Sequence, residues 1–385
     1  MSLFDPATYR ALRRPLAEAA TLPPGCYTSQ AFFDREVSEV FLKSWNLIGR
    51  TDYVPDIGDY FTHSIAGISL IVMRGHDHVI RAFVNACRHR GAKLLDGAGN
   101  CGSIHCPYHA WVYHTDGTLR IAASMQGALN FNNEEFGLTE VWLEIWAGFL
   151  FVNCNPTAES LSSYLGRLGE FTDSYDFASM VTTKRCEYRV RTNWKCYIEN
   201  SLENLHLPVV HKKSIGNVRA EWIPVDGAPG NFVVLRSKTN SSRAVLDGDK
   251  GFDRIMGLRG TAAEGAQYIL VYPCTVIGAD LDCMWFKQMV PDGPDSVRNI
   301  AAFCFTREAI ARPDFDQIVQ NYYRRYETVI SEDNKATELH FAGLQNPLGR
   351  PGRYSTREPL VHTINNWIIN RVVGSARAGG ERDAS

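Results

Sequence analysis

The chain of 385 residues has no excess of charge of one sign. It carries 40 basic and 42 acidic side chains, which leave a formal charge of −2, and it contains no long basic run. Nucleic-acid binding needs a dense field of Lys and Arg that displaces counterions from phosphates. We therefore expect no nucleic-acid partner.

Long hydrophobic runs are also missing. The longest apolar stretches, at 146–152 and 68–73, have the length of strands and fall far below the roughly 20 residues of a membrane helix. Residues 1–15 carry no charged-then-apolar export signal. These absences predict a cytoplasmic protein without a membrane segment. The ten cysteines are then expected to stay reduced.

Short runs of β-branched and aromatic residues predict the fold. Between residues 45 and 156 they indicate a small antiparallel β domain, with runs at 68–73, 79–84, 104–111 and 148–153. Beyond the Ser-rich stretch 157–163 the pattern predicts a helix at 194–207 that Pro208 ends, a long amphipathic helix at 314–344, and strands at 186–191, 232–237, 267–272, 282–290 and 297–305. The fold class is α+β, with one domain at 40–156, a second made of 1–39 and 157–373, and a disordered tail at 374–385.

Two cysteines have histidines beside them in a repeated pattern. Cys87-x-His89 and Cys106-x-x-His109 are separated by sixteen residues. A [2Fe–2S] cluster with one all-sulfur and one all-imidazole iron takes one Cys and one His from each of two loops. The alternative is structural zinc, which also accepts two Cys and two His, although Cys-x-His is a poor zinc-finger spacing.

The extended motifs Cys87-x-His89-Arg90-Gly91 and Cys106-Pro107-Tyr108-His109-Ala110-Trp111 resemble the Rieske loops of ring-hydroxylating oxygenases. This resemblance implies a Rieske domain and a catalytic domain in which helices flank an antiparallel sheet, the helix-grip or START-like arrangement. It also implies an enzyme, a mono- or dioxygenase whose cosubstrate is O₂.

A second group of residues has the pattern of a mononuclear iron site. Glu203 and His206 are three apart and are expected on one helical face, and Pro208 bends the chain so that His211 converges on the same metal. Two histidines and one carboxylate leave open positions on Fe(II) for O₂ and substrate. Ordinary core histidines are the competing interpretation.

The local sequence does not identify the third ligand among 42 acidic residues. The same resemblance assigns this role to Asp333 in the C-terminal helix, with Glu332 as the fallback. It assigns to Glu203 the bridge between a Rieske histidine of one subunit and the iron ligand of the next. Relatives mostly have Asp at that position, and those that act on quaternary ammonium compounds can have Glu.

The resemblance further implies a head-to-tail homotrimer in which His109 of one subunit approaches Glu203 and His206 of its neighbour. A separate reductase, with or without a ferredoxin, is expected to deliver electrons from NAD(P)H, because no Gly-x-Gly-x-x-Gly stretch follows a predicted strand. The predicted walls of the substrate pocket are aromatic residues: Tyr268, Tyr272, Trp285 and Phe303.

Substrate identity stays open at this point, as do mono- against dioxygenation and the presence of a further subunit. Aromatic compounds are slightly favoured over oxidative demethylation of a quaternary amine, in which ring faces would hold the cation. Two other classes are a Rieske electron carrier and a ligand-binding protein with a structural metal. A carrier needs only about 110 residues, which this chain far exceeds.

Overall fold

A computed structural model describes residues 2–216 and 221–374. These residues divide into two compact units, one formed by Leu42–Tyr164 and the other by the described residues on either side of it. The domain limits 40 and 156 remain predictions, and residues 375–385 of the predicted tail lie outside the described part. Among the described residues, no helix is both long and apolar enough to cross a membrane.

The unit Leu42–Tyr164 is built from short antiparallel strands. They are β1 (Asn46–Arg50), β2 (Asp59–Ile65), β3 (Ile68–Arg74), β4 (Ile80–Val84), β5 (Ala98–Asn100), β6 (Ile104–His105), β7 (Val112–Tyr113), β8 (Leu119–Ile121), β9 (Glu140–Trp146) and β10 (Phe149–Asn153). One sheet has the order β1-β10-β9-β4-β3-β2-β5, and a small sheet has the order β6-β7-β8. The predicted strand at 104–111 is wrong as a single element, because a turn between β6 and β7 interrupts it.

The other unit contains a single antiparallel sheet in the order β11-β17-β16-β15-β14-β13-β12. Its strands are β11 (Val181–Val190), β12 (Glu221–Val225), β13 (Phe232–Lys238), β14 (Gly265–Val271), β15 (Thr275–Ala279), β16 (Met284–Pro291) and β17 (Val297–Phe305). Every residue of β15 and β16 is buried. Both faces of these strands are therefore covered, and Lys287 and Gln288 of β16 are buried with their apolar neighbours.

The described residues also form helices, two of which contact this sheet. The helices are α1 (Gly25–Thr28), α2 (Gln30–Glu36), α3 (Leu161–Leu165), α4 (Gly169–Thr172), α5 (Trp194–Ser201), α6 (Leu207–Val210), α7 (Arg307–Ile310), α8 (Phe315–Leu344) and α9 (Pro359–Val372). A π-helical turn spans Val37–Phe41, and 3₁₀ turns span Pro6–Tyr9, Leu16–Glu18, Thr51–Tyr53, Asn133–Phe136, Gly166–Leu168, Asp173–Tyr175 and Gly260–Glu264. α5 contacts β16 and α8, and α9 contacts β12 and β13. This is the predicted α+β arrangement of helices on an antiparallel sheet.

The buried face of α8 carries charge. Its buried positions recur every three or four residues, as expected for an amphipathic helix, at Ile318, Tyr322, Arg325, Val329, Asp333, Thr337 and Phe341. Arg325 and Asp333 thus occupy positions that packing alone would fill with apolar side chains. Both face the interior of this unit.

The predicted continuous helix at 194–207 is wrong. α5 ends at Ser201, a turn follows, and Pro208 lies in the first turn of the short helix α6. A proline is tolerated there because the first helical N–H groups have no partner inside the helix. The break, rather than a bend at Pro208, therefore sets the path of the chain between Glu203 and His211.

Candidate metal centres and substrate cavity

The two Cys/His loops of the first unit share one backbone arrangement. The N–H of Cys87 donates to the carbonyl of Ala92, and the N–H of Gly91 donates to the carbonyl of Cys87, both at 2.8 Å. In the second loop the same two bonds join Cys106 to Trp111 and Ala110 to Cys106, at 2.7 and 3.2 Å. The fifth residue of each loop has positive φ, 74° at Gly91 and 58° at Ala110. Two equivalent turns therefore each present one cysteine and one histidine.

The side chains of these loops fit a cluster. Cys87 and Cys106 are buried, and the rings of His89 and His109 lie 4.7 Å apart between centroids. His89 stacks on Trp111 at 4.9 Å, yet its Nδ1 is buried without a hydrogen-bond partner in the described chain. A buried nitrogen of this kind needs a partner, and an iron atom would supply one.

A tyrosine that sequence reasoning missed completes this site. The hydroxyl of the buried Tyr113 lies 3.2 Å from Cys87 Sγ and accepts a hydrogen bond from the N–H of Arg88 at 3.0 Å. With that proton accepted, the phenolic O–H is free to donate to the sulfur. Hydrogen bonds to the sulfurs are one determinant of the reduction potential of a cluster.

In the second unit the structure brings His206, His211 and Asp333 together. One ligand atom from each lies within 4.8 Å of the others. The carboxylate oxygen Asp333 Oδ1 is 3.1 Å from His211 Nε2 and 3.8 Å from His206 Nε2. The turn after α5 supplies His206, the end of α6 supplies His211, and the buried stripe of α8 supplies Asp333.

The hydrogen bonds of the two imidazoles orient them for a metal. His206 Nδ1 lies 2.5 Å from Glu203 Oε1, and His211 Nδ1 lies 2.7 Å from Glu332 Oε2. Metal-bound histidines commonly use the second ring nitrogen in this way, and the bond fixes the tautomer. Both Nε2 atoms are thereby left facing Asp333 Oδ1, which is buried without a hydrogen bond in the described chain. The three donors fit Fe(II).

Two acidic residues contact the histidines of this site. Glu203 and His206 do not share the helical face that was expected, because α5 ends at Ser201. Glu203 lies in the turn beyond α5, where its Oε2 accepts hydrogen bonds from the backbone N–H groups of Leu205 and His206. Glu332 Oε2 also accepts from the Ser214 hydroxyl at 2.6 Å. Glu332, the fallback ligand, thus contacts the ring nitrogen of His211 that points away from Asp333.

Electrostatics favour a charged carboxylate at Asp333. Burial alone raises the pKa of this carboxyl, but the adjacent His211 ring and the positive charge of Lys287 outweigh it and lower the pKa. Metal binding requires the deprotonated carboxylate. The site therefore presents that form before any metal binds.

The three donors lie at the wall of a cavity. It is lined by Asn200, Ser201, Glu203, His206, Leu207, His211, Ile215, Trp222, Leu235, Arg243, Tyr268, Val276, Trp285, Lys287, Arg325, Tyr326, Val329, Ile330 and Asp333. Of the predicted walls, Tyr268 and Trp285 line it. Tyr272 lies beyond the end of β14 and packs on Trp367, and Phe303 packs under α8 against Tyr326; neither is among the residues that line this cavity.

Sequence reasoning missed the cavity residues Trp222, Arg243, Lys287, Arg325 and Tyr326. Only Arg325 had a usable signal, because it interrupts the apolar stripe of α8. Tyr326 belongs to the apolar stripe of α8 and looks like an ordinary core residue. Trp222, Arg243 and Lys287 lie on strands or in a loop whose neighbours in space are distant in sequence, so no local pattern marks them.

Family models match both units. Residues 44–132 match the Rieske [2Fe–2S] domain, and residues 177–374, about half of the chain, match the ring-hydroxylating alpha subunit (catalytic domain). The chain belongs to the Rieske-type ring-hydroxylating oxygenases. It is therefore an oxidoreductase that uses O₂, with a [2Fe–2S] cluster and a mononuclear iron as its cofactors.

Individual relatives are named for quaternary ammonium substrates. The chain is 26% identical to the chloroplastic choline monooxygenase of Atriplex hortensis over 95% of this chain and 80% of that protein. It is 38% identical to the carnitine monooxygenase oxygenase subunit of Escherichia coli K12, over 54% of this chain and 58% of that protein. These names do not support the preference for aromatic substrates expressed above.

Solved structures share the fold. A quaternary ammonium Rieske monooxygenase in complex with L-carnitine superposes with a TM-score of 0.77 at 23% identity, covering 92% of this chain and 96% of that chain. The likeness extends over both units and confirms the predicted fold class.

Proposed function

We propose that this oxygenase hydroxylates a carbon next to the nitrogen of a quaternary ammonium compound and thereby releases an amine. Hydroxylation of such a C–H bond consumes O₂, two electrons and two protons and yields one water. The resulting N–CH(OH) group then loses the amine and leaves a carbonyl product. The names of the choline and carnitine relatives support this choice of substrate class.

The observation that carries the proposal is a row of aromatic rings along the cavity. Successive ring centroids lie 5.8 Å apart from Trp222 to Tyr268, 6.0 Å from Tyr268 to Trp285 and 5.3 Å from Trp285 to Tyr326. Faces of Trp and Tyr attract quaternary ammonium groups through the ring quadrupole, and aromatic cages are their usual binding sites.

The proposed roles of the polar residues follow from their contacts. His206 Nε2, His211 Nε2 and Asp333 Oδ1 would hold Fe(II), which supplies the activation of O₂ when bound. Glu203 and Glu332 accept the Nδ1 protons and keep both rings in the required tautomer. The apolar and aromatic cavity wall excludes bulk water from the reacting carbon.

Electron supply is proposed to come from another subunit and another protein. Cys87, His89, Cys106 and His109 would hold the cluster. Tyr108, beside His109, is 59% exposed, so this edge of the Rieske unit reaches the surface. In a head-to-tail trimer it would approach Glu203 of the neighbouring subunit, and a separate reductase would reduce the cluster with NAD(P)H.

A single-turnover assay tests the reaction. Protein with both iron centres is reduced anaerobically, mixed with choline, glycine betaine or L-carnitine, and exposed to O₂. We expect a free amine and a carbonyl product, detected by mass spectrometry, from at least one of these compounds. Naphthalene and benzoate serve as aromatic comparators.

The controls test the role of the aromatic wall and the choice of substrate class. Trp285→Leu removes one ring face while keeping an apolar wall and is expected to weaken binding of the ammonium compound by about three- to thirtyfold. Ring-hydroxylated products without any amine release would overturn the proposal in favour of an aromatic substrate.

A further inference from the structure

Two buried arginines in the cavity wall have no anionic partner. Arg243 and Arg325 are each 4% exposed. Their atoms Arg243 Nε, Arg243 Nη1 and Arg325 Nε are buried and make no hydrogen bond within the described residues. Neither guanidinium is in an ion pair with any carboxylate of that part of the chain. The buried Lys287 adds a third cationic side chain to the same cavity.

The surroundings of the arginines are mostly aromatic. The guanidinium carbon of Arg243 lies 5.6 Å from the centre of the Trp222 ring, and that of Arg325 lies 4.7 Å from the centre of the Tyr326 ring. Ring faces attract such cations but neutralise no charge. The rings also accept no conventional hydrogen bond, so the buried Arg243 Nε, Arg243 Nη1 and Arg325 Nε keep no acceptor among the described residues.

One buried carboxyl, Asp280, is near both arginines without pairing to them. Its Oδ1 accepts hydrogen bonds from the backbone N–H groups of Arg243 and Leu281, at 2.8 and 3.3 Å. Burial raises the pKa of Asp280, and the charges of Arg325 and Arg243 oppose that rise. The influence of both arginines on one carboxyl indicates that they serve the same part of the cavity.

An uncompensated buried charge is strongly destabilising, so a chain that keeps two of them needs another reason for them. The planar guanidinium donates in a fork that matches the two oxygens of a carboxylate. A bound ligand with a carboxylate would supply the missing partner. A ligand that is only a cation would instead add positive charge beside three cationic side chains.

We propose that Arg243 and Arg325 bind a carboxylate of the substrate, so that the substrate is a zwitterion with a quaternary ammonium group and a carboxylate. The ammonium half rests on the proposed function, whereas the carboxylate half rests on the arginines alone. Both arginines line this cavity, and Arg243 also lines an adjacent one. A substitution of Arg325 is therefore the more specific test of this cavity.

The test compares a carboxylate with its own ester. γ-Butyrobetaine and its methyl ester share the trimethylammonium group and chain, and benzoate and methyl benzoate form the same pair without the cation. Binding to the anaerobic holoenzyme is measured by titration calorimetry. The variants are Arg243→Met and Arg325→Met, with Arg325→Lys retaining charge and the exposed Arg259→Met as the matched control.

Wild type is expected to bind γ-butyrobetaine at least about tenfold more tightly than the ester, because hydrogen bonds to charged groups are stronger than neutral ones. Arg325→Met is expected to weaken binding of the zwitterion by about 10- to 100-fold and binding of the ester by less than about threefold. Arg325→Lys should restore part of the preference, and Arg259→Met should match wild type.

Melting temperature separates binding from a structural role. Replacing an uncompensated buried charge by an apolar side chain is neutral or stabilising, so the unliganded Arg325→Met protein is expected to melt at or above the wild-type temperature. A much lower melting temperature, with equal loss of ester and carboxylate binding, would overturn the proposal.

The aromatic pair distinguishes the two proposals. If benzoate binds more tightly than its ester, Arg325→Met removes that difference, and neither ammonium compound binds, then the carboxylate site stands while the quaternary ammonium proposal fails. If wild type prefers neither carboxylate over its ester, the arginines do not bind a carboxylate and the present proposal is wrong.

Discussion

The two candidate metal centres are built in different ways. The candidate cluster ligands lie on two loops with the same backbone hydrogen bonds, and 26 residues separate Cys87 from the Tyr113 hydroxyl that contacts it. The candidate iron ligands come from a turn, a short helix and a long helix, and 121 residues separate His211 from the Glu332 carboxylate that contacts its Nδ1. A local motif thus carries the first site, whereas tertiary structure assembles the second.

The interiors of the two units also differ. The unit with the catalytic site buries a Lys195–Glu36 ion pair whose side chains are both 0% exposed, as well as Asp280, Asp282 and Asp333. In the Rieske unit, Arg50 is a buried charged side chain and the other buried polar groups are mainly neutral. Charge inside the catalytic unit makes its stability and its ligand binding depend on pH.

The largest expected effect follows from removing one ligand at each centre. Cys106→Ala is expected to abolish the Rieske EPR signal and keep the mononuclear iron. Asp333→Ala is expected to keep the signal, lose one iron and reduce turnover by more than about 100-fold. Mutation of residues that only support a metal ligand already lowers metal affinity or activity by about 10- to 100-fold. Iron analysis and EPR measure both effects, and the exposed Asp316→Ala on α8 is the control. Loss of the cluster signal in Asp333→Ala would contradict the independence of the two centres.

These two variants also test electron transfer between subunits. Each is expected to be inactive alone, while co-expressed hybrids should recover part of the activity, because a Cys106→Ala subunit keeps an iron site that a neighbouring cluster can reduce. Turnover of purified hybrids carrying two different affinity tags measures this. Light scattering of the wild type is expected to give the mass of a trimer. Hybrids as inactive as the parents would contradict transfer between subunits.

A smaller effect is expected from the residues that orient the iron histidines. Glu332→Gln weakens the bond to His211 Nδ1 and is expected to reduce iron affinity or turnover by about 10- to 100-fold. Ser214→Ala, which removes one hydrogen bond to Glu332, is expected to reduce iron affinity or turnover by less than Glu332→Gln does. The fraction of iron retained during dialysis against a chelator ranks the two variants. An unchanged Glu332→Gln protein would mean that Asp333 and the two rings hold the metal without this support.

The buried charge of the catalytic unit gives a pH prediction. Burial, with a further contribution from the neighbouring Asp280, raises the pKa of Asp282 to about 7. Because this pKa is higher in the folded than in the unfolded protein, its contribution favours folding at low pH and is lost as the pH rises from about 4 through about 7. The stability of Asp282→Asn relative to wild type is therefore expected to increase over that interval by up to a few kcal/mol. Chemical denaturation at pH 5 and pH 8 measures it, and a pH-independent difference would show that Asp282 titrates normally.

The smallest expected effect concerns the cluster. Tyr113→Phe removes the hydroxyl that contacts Cys87 Sγ. A hydrogen bond to sulfur stabilises the more negative, reduced cluster, so its loss is expected to lower the reduction potential by some tens of millivolts. Protein-film voltammetry measures the shift, with Tyr108→Phe as the control. An unchanged potential would mean that the hydroxyl does not donate to the sulfur.

Local sequence patterns were enough to predict the cluster loops, the antiparallel sheets and the long helix α8. Spacing of Cys and His within a loop and the periodicity of apolar residues are local properties, and a local pattern suffices to predict them. The pair His206 and His211 was also predicted from spacing, although the helix expected to carry Glu203 and His206 ends at Ser201.

The residues around the substrate cavity are brought together by long-range contacts of the folded chain. The tertiary structure directs Glu332 to His211, places Asp333 opposite two Nε2 atoms, and brings Arg243 from a loop to the same cavity as Arg325 on α8. It also leaves Tyr272 and Phe303 outside the lining of that cavity. Contacts of this kind join residues that are far apart in the chain, and they depend on strand order and helix packing, which local patterns do not encode.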